Sequence, residues 1–143
     1  FYLGLIPFVV LTTLMMAGTS NAVNITDGMD GLASGITAAV GVGLLILCFI
    51  AGNETDARNL LVPYVATSGE LAVLIGAVLA FLWFNCSPAT VFMGDTGSLT
   101  LGGLLAYIAV VIRQEIVLLI MSGVFVLEIA SVMLQVGYFK WTK

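Results

Sequence analysis

The run Leu32-Ala-Ser-Gly-Ile-Thr-Ala-Ala-Val-Gly-Val-Gly-Leu-Leu-Ile-Leu-Cys-Phe-Ile-Ala51 contains no charged residue. A helix needs about 20 largely apolar residues to cross a hydrocarbon core of ~30 Å. Lipid offers no partner to backbone N–H and C=O groups, so a spanning segment is a helix or part of a closed barrel. This run is continuous rather than alternating, which selects the helix. Working outward, four further stretches have the same character: Phe1–Met16, Leu71–Phe84, Leu99–Ile112 and Ile116–Tyr138. The two short ones are expected to begin earlier, near Ser68 and Ser98. Glycines inside the runs (Gly41, Gly43, Gly102 and Gly103) are expected to permit close helix packing.

Composition agrees. Of 143 residues, 61% are hydrophobic and only 8% charged, and mean hydropathy is +1.19. A soluble domain carries roughly 25% charged residues and could not cover its surface with so few. The expectation is an all-α, polytopic transmembrane helix bundle of about five spans, a single domain over 1–143. The net charge of −4 argues against nucleic acid as a partner, because neutralising phosphates needs a basic surface. Two cysteines, Cys48 in an apolar run and Cys86 beside a connector, make no disulfide framework. With no histidine, neither His-ligated zinc nor a Ser-His triad can be built from these residues. The first run lacks a basic leader and is not read as a signal peptide. The chain is read as an internal piece of a longer protein.

Five spans put the connectors at 19–31 and 85–98, and the tail 140–143, on one membrane face. The connector 52–67 and the turn Arg113-Gln114-Glu115 fall on the other. Arg58 and Arg113 balance Lys140 and Lys143, so the positive-inside rule does not choose a side.

The polar connectors carry the chemistry. The first reads Asn21-Ala-Val-Asn24-Ile-Thr-Asp27-Gly28-Met-Asp30-Gly31. Asn21, Asn24, Asp27 and Asp30 are three apart, and on a helical turn they would share a face. Gly28 and Gly31 allow sharp turns, and the next helix begins with free N–H groups that suit an oxyanion. The plainer reading is a polar linker whose aspartates cap a helix. The second reads Asn85-Cys-Ser-Pro-Ala-Thr-Val-Phe92-Met-Gly94-Asp95-Thr-Gly97-Ser98. Asp95 is flanked by glycines, and Phe92 precedes it by three. Phe92 suits a nucleobase stacked beside a phosphate site, or equally an anchor in the membrane interface. Asp27, Asp30 and Asp95 lie on one face with no basic residue near them in sequence. Brought together they would repel each other and a phosphate, a conflict that a divalent cation resolves. The residues alone lead to a metal-dependent site for an anionic substrate at a membrane surface.

Asn21-Ala-Val-Asn-Ile-Thr-Asp-Gly-Met-Asp-Gly-Leu-Ala33 and Val91-Phe-Met-Gly-Asp-Thr-Gly-Ser98 resemble two signatures of the polyprenyl-phosphate N-acetylhexosamine-1-phosphate transferases. Within that superfamily the likeness is to the phospho-N-acetylmuramoyl-pentapeptide transferases of bacterial peptidoglycan synthesis, and the tail Gln135–Lys143 is similar to a late helix of theirs. Ile25 and Met29 stand where leucines are commoner. The resemblance implies transfer of phospho-N-acetylmuramoyl-pentapeptide from a UDP-linked donor to undecaprenyl phosphate, giving lipid I and UMP, with Mg²⁺ as cofactor. It implies Asp95 as metal ligand, Asp27 and Asp95 as catalytic, and Phe92 stacked on uracil. Asn21, Asn24, Asp27, Asp30, Asn85, Gly94 and Ser98 are implied as substrate-binding positions. It also implies a bacterial inner membrane with the aspartate connectors cytoplasmic, and allows for a homodimer. Two family motifs, an upstream aspartate pair and a downstream histidine motif, are absent from these residues. The alternatives are an N-acetylglucosamine-1-phosphate transferase of the same superfamily, or a transporter, to which the intramembrane Glu128 would point.

Overall fold

The computed structural model describes residues 4–66, 68 and 72–142. These form seven helices: α1 Leu5–Thr26, α2 Leu32–Gly52, α3 Glu54–Asn59, α4 Ala72–Asn85, α5 Gly94–Val111, α6 Glu115–Met121 and α7 Gly123–Trp141. Four of them (α1, α2, α5 and α7) are long and apolar enough to cross a membrane, and α4 is a shorter apolar helix. The protein is an all-α bundle of the polytopic membrane kind, with no strand among the described residues. Large apolar side chains such as Leu5, Ile6, Leu14, Ile46, Phe49, Val73, Leu127 and Leu134 stand exposed, as helices facing lipid rather than water present them.

The core is made of small and branched side chains. Ala22 and Val23 of α1, Leu44 and Cys48 of α2, Leu105, Ala106 and Ala109 of α5 and Phe125 of α7 are buried together. α1 packs chiefly on α5 and then α7, while α2 packs on α4. The seam between α1 and α5 depends on Gly102. A Cβ there would lie 2.5 Å from the Thr19 carbonyl oxygen and 2.6 Å from the Ser20 Cα, so the two backbones touch with no room for a methyl. Gly41 against Ile75, Gly43 against Met121 and Gly103 against Ser20 repeat the theme more loosely. These are the close-packing positions expected from the sequence.

Several boundaries differ from those expected. α1 does not stop near Met16 but runs on to Thr26, so the first connector shrinks from 19–31 to Asp27–Gly31. The hydroxyls of Thr12, Thr19 and Thr26 bond back to the carbonyls of Phe8, Met15 and Ala22 at 2.9, 2.8 and 2.8 Å. This lets polar residues stay in an apolar helix. α5 likewise begins at Gly94 rather than Ser98. The expected earlier start of α4 falls mostly outside the described residues. The single fifth span is two helices. At Ser122 the ladder continues, with Ser122 N–H donating to Leu118 O at 2.8 Å and Val126 N–H to Ser122 O at 3.2 Å, but Ser122 itself, at φ −84° and ψ 15°, leaves helical geometry and divides the two. A short helix, α3, occupies the connector between α2 and α4. Asn53 caps it by accepting from Thr55 N–H and Asp56 N–H at 3.0 and 3.3 Å.

Candidate functional site

The two motif-bearing connectors meet where α1 and α4 end and α2 and α5 begin. Two polar clusters bind them together.

The first centres on Asn24, in the last turns of α1. Its Nδ2 donates to Asp95 Oδ1 and to Ser98 Oγ, both at 2.9 Å. An ionised carboxylate only accepts, so the amide must present its NH₂ to Asp95. Ser98 is fully buried and passes its own proton to the Gly94 carbonyl at 3.1 Å. That leaves its lone pairs to Asn24. Asp95 lies in the first turn of α5, an end favourable for negative charge. Gly94 supplies the left-handed conformation, φ +65°, that starts the helix there. One Asp95 oxygen is thus held by α1, while the residue as a whole stays exposed.

Asp27 caps α1, its N–H donating to Asn24 O at 3.2 Å. Its carboxyl is pushed above the ordinary value of 3.8, first by burial and second by the charge of Asp95. The two carboxylates therefore feel each other, as the sequence suggested. Asp30 does not join them. Its Oδ2 accepts the Ala89 N–H at 3.0 Å, and no group of three or more His, Cys, Asp or Glu close enough to hold a metal occurs among the described residues. The expected trio of carboxylates is corrected to a pair. The shared helical face is corrected too, because α1 ends at Thr26 and only Asn21 and Asn24 remain on helix.

The second cluster centres on Asn85, the last residue of α4, only 3% exposed. Its Oδ1 accepts from Gly31 N–H at 3.2 Å and Ser34 Oγ–H at 2.7 Å. Its Nδ2 donates to Val91 O at 2.9 Å. Asn85 was expected to bind substrate, but its amide is engaged by the protein and fastens the second connector to the start of α2. Gly31, φ +74°, is the N-cap of α2, and its backbone passes close to Cys86. Asn21 is exposed, and its Nδ2 donates to Ala17 O of its own helix at 2.8 Å. Phe92 is 72% exposed beside this assembly, free to meet a ligand or the membrane surface. Ser34 was missed by sequence reasoning. The available signal was a hydroxyl three residues beyond Gly31, inside an otherwise apolar run.

The sequence that builds this geometry, with Asp95 held across helices by Asn24, also matches a family model. Residues 1–113 match glycosyl transferase family 4. The chain belongs to that family. The match takes in α1 to α5 and both connectors, and stops before α6. Membership in glycosyl transferase family 4 brings with it transfer of a phosphosugar to a polyprenyl phosphate, a reaction whose acceptor lives in the bilayer these helices cross.

Proposed function

We propose that this chain carries the part of a phospho-N-acetylmuramoyl-pentapeptide transferase that grips the nucleotide-linked donor. The donor would be UDP-linked muramoyl-pentapeptide and the acceptor undecaprenyl phosphate, and the products lipid I and UMP. The observation behind this is the Asp27–Asp95 pair, with Asp95 fixed by Asn24. The choice among sugars rests on the two signature stretches.

In the reaction an oxygen of the lipid phosphate attacks the sugar-side phosphorus of the donor's diphosphate. The P–O bond to the UMP phosphate breaks, and UMP leaves with that oxygen. Asp95 and Asp27 fit Mg²⁺, which takes one or two carboxylates and fills its remaining positions with substrate phosphates and water. When bound, the ion would neutralise charge on the diphosphate. Asn24 holds Asp95 in one orientation before substrate arrives, so less ordering remains at the moment of reaction. In the ion-free protein burial and then the charge of Asp95 raise the pKa of Asp27, and a bound cation would relieve that repulsion. Phe92 offers an exposed π-face to uracil.

A direct test supplies undecaprenyl phosphate and Mg²⁺ to membranes holding the full-length protein, with one UDP-sugar at a time. Lipid I and UMP should form from UDP-muramoyl-pentapeptide and nothing from UDP-N-acetylglucosamine. The reverse preference would replace this reading with the N-acetylglucosamine-1-phosphate transferase. The connectors are proposed to face the cytoplasm, the source of nucleotide sugars. Cysteines placed at Ala89 and Asn59 should then label from the cytoplasmic and the opposite side respectively.

A further inference from the structure

We infer that Ser34 is a positioning residue that sets affinity for the donor nucleotide by holding Asn85, although it touches no substrate itself. This rests on the proposed nucleotide site and extends it to a residue outside both signature connectors.

Asn85 has its orientation fixed by two backbone groups of opposite sense. Gly31 N–H can only donate and so must face Oδ1; the Val91 carbonyl can only accept and so must face Nδ2. Ser34 completes the set. Its hydroxyl is fully buried, and at 2.7 Å it makes the shortest of the bonds to Asn85. Oδ1 accepts only, so Ser34 is the donor. Without it one lone pair of a buried amide oxygen loses its partner, and the longer 3.2 Å bond from Gly31 is left to hold that oxygen alone. The consequence passes through Nδ2 to Val91, the residue before Phe92. The chain of contact is therefore Ser34 to Asn85 to Val91, ending at the exposed ring. Asp95 is held separately, by Asn24, whose amide also donates to Ser98. Loss of Ser34 should thus loosen the aromatic arm of the site and spare its carboxylate arm.

The experiment uses full-length protein in detergent, with UMP binding and steady-state transfer both measured per folded molecule. Ser34→Ala should weaken UMP binding roughly 3–10-fold, the size of one buried hydrogen bond, and raise KM for the donor by a similar factor. kcat at saturating donor should fall less than KM rises, and the Mg²⁺ concentration for half-maximal rate should stay put. Ser34→Thr, which keeps the hydroxyl, should recover affinity. Combined with Phe92→Ala, Ser34→Ala should add little, because its effect runs through the ring. Fully additive losses, or a fall in kcat with KM unchanged, would overturn the inference. If Ser34→Ala does not fold, Ser34→Cys, similar in size with a weak donor, takes its place under the same criteria. Should Phe92→Ala itself leave UMP binding untouched, the nucleotide site fails. If only Ser34→Ala does so, the site stands and the positioning role falls.

Discussion

Asn24 and Gln135 are both amides on apolar helices, and they are used in opposite ways. Asn24 reaches across to residues 71 and 74 positions along the chain, Asp95 and Ser98. Gln135 donates to Ser131, one turn back on its own helix, at 3.0 Å. The contrast extends to the regions around them. Where α1, α2, α4 and α5 meet, Asn24, Asn85 and Asp30 join segments distant in sequence. Along α7 the hydroxyl of Thr142 likewise satisfies itself locally, on Tyr138 O, and nearly every side chain after Ile129 is exposed. Beside the seam where α1 packs on α7 opens an apolar cleft of about 270 Å³, lined by Leu14 and Met15 on one side and Phe125 and Ile129 on the other. Polar groups in the first region fix geometry between helices. In the second they keep one helix content on its own.

The sharpest break of this comparison is chemical. Asp95→Asn keeps the size of the side chain, and thus the packing at the start of α5, but removes the charge proposed to meet the cation. Transfer by the full-length protein should fall by several kcal/mol of transition-state stabilisation, roughly 10²–10³-fold or more. Thermal stability should hold. Ordinary activity in a folded Asp95→Asn protein would place the cation elsewhere.

Phe92→Ala comes next. Stacking predicts a loss of roughly 1–3 kcal/mol in UMP binding, with Phe92→Trp retaining much of it. If the ring only anchors the connector in the headgroups, Ala should lower yield or stability while UMP affinity per folded molecule is unchanged.

Packing offers a paired test. Gly102→Ala drives a methyl into the backbone at Thr19 and Ser20, and should destabilise by about 1–3 kcal/mol. One turn from Ser20 is Asn24, and one turn from Gly102 is Ser98, so the same shift should also loosen the grip on Asp95 and lower activity. Gly137 on α7 has nothing within 4 Å of an added Cβ. Gly137→Ala should be neutral or stabilise by up to about 1 kcal/mol. Equal costs at the two glycines would erase the distinction between the regions.

The same distinction explains what the sequence could reveal. Uncharged runs make their own case for helices, and α2 falls where its run predicts. The two signature stretches also meet, consistent with the span count that put both connectors on one face. Helix ends are another matter. Asn21, Asn24 and Thr26 read as linker because polar residues in an apolar span look costly, yet back-bonding and cross-helix bonds keep them helical. Asp30 looked equivalent to Asp27 by spacing, but the Ala89 N–H that engages it comes from 59 residues away. The partnership of Ser34 with Asn85 is equally tertiary. Periodicity reports which face a residue takes on its own element; it says nothing of which foreign group will be waiting there.

The smallest expected effect concerns Asp27, which is only half-buried, so that solvent screens much of its interaction with Asp95. Its folded pKa lies above the ordinary 3.8, through burial first and Asp95 second. The folded protein therefore binds the Asp27 proton more tightly than the unfolded chain does. This contribution to stability is fully present below the ordinary carboxylate pKa and is lost as pH rises through the raised one. At neutral pH, without divalent cations, Asp27→Asn should melt slightly higher than the parent, since the amide carries no charge to repel Asp95. The gap should close as the medium is acidified below about pH 4, where the parent carboxyl is neutral too. Mg²⁺ at neutral pH should close it from the other direction, because a ligand that binds the folded parent stabilises it and finds one carboxylate fewer in the variant. Melting curves across pH, with and without Mg²⁺, separate these arms. A variant less stable than the parent at neutral pH in chelator would mean that Asp27 is held by a favourable contact and not opposed by Asp95. The acidic pair would then lose its strongest physical argument for a bound cation.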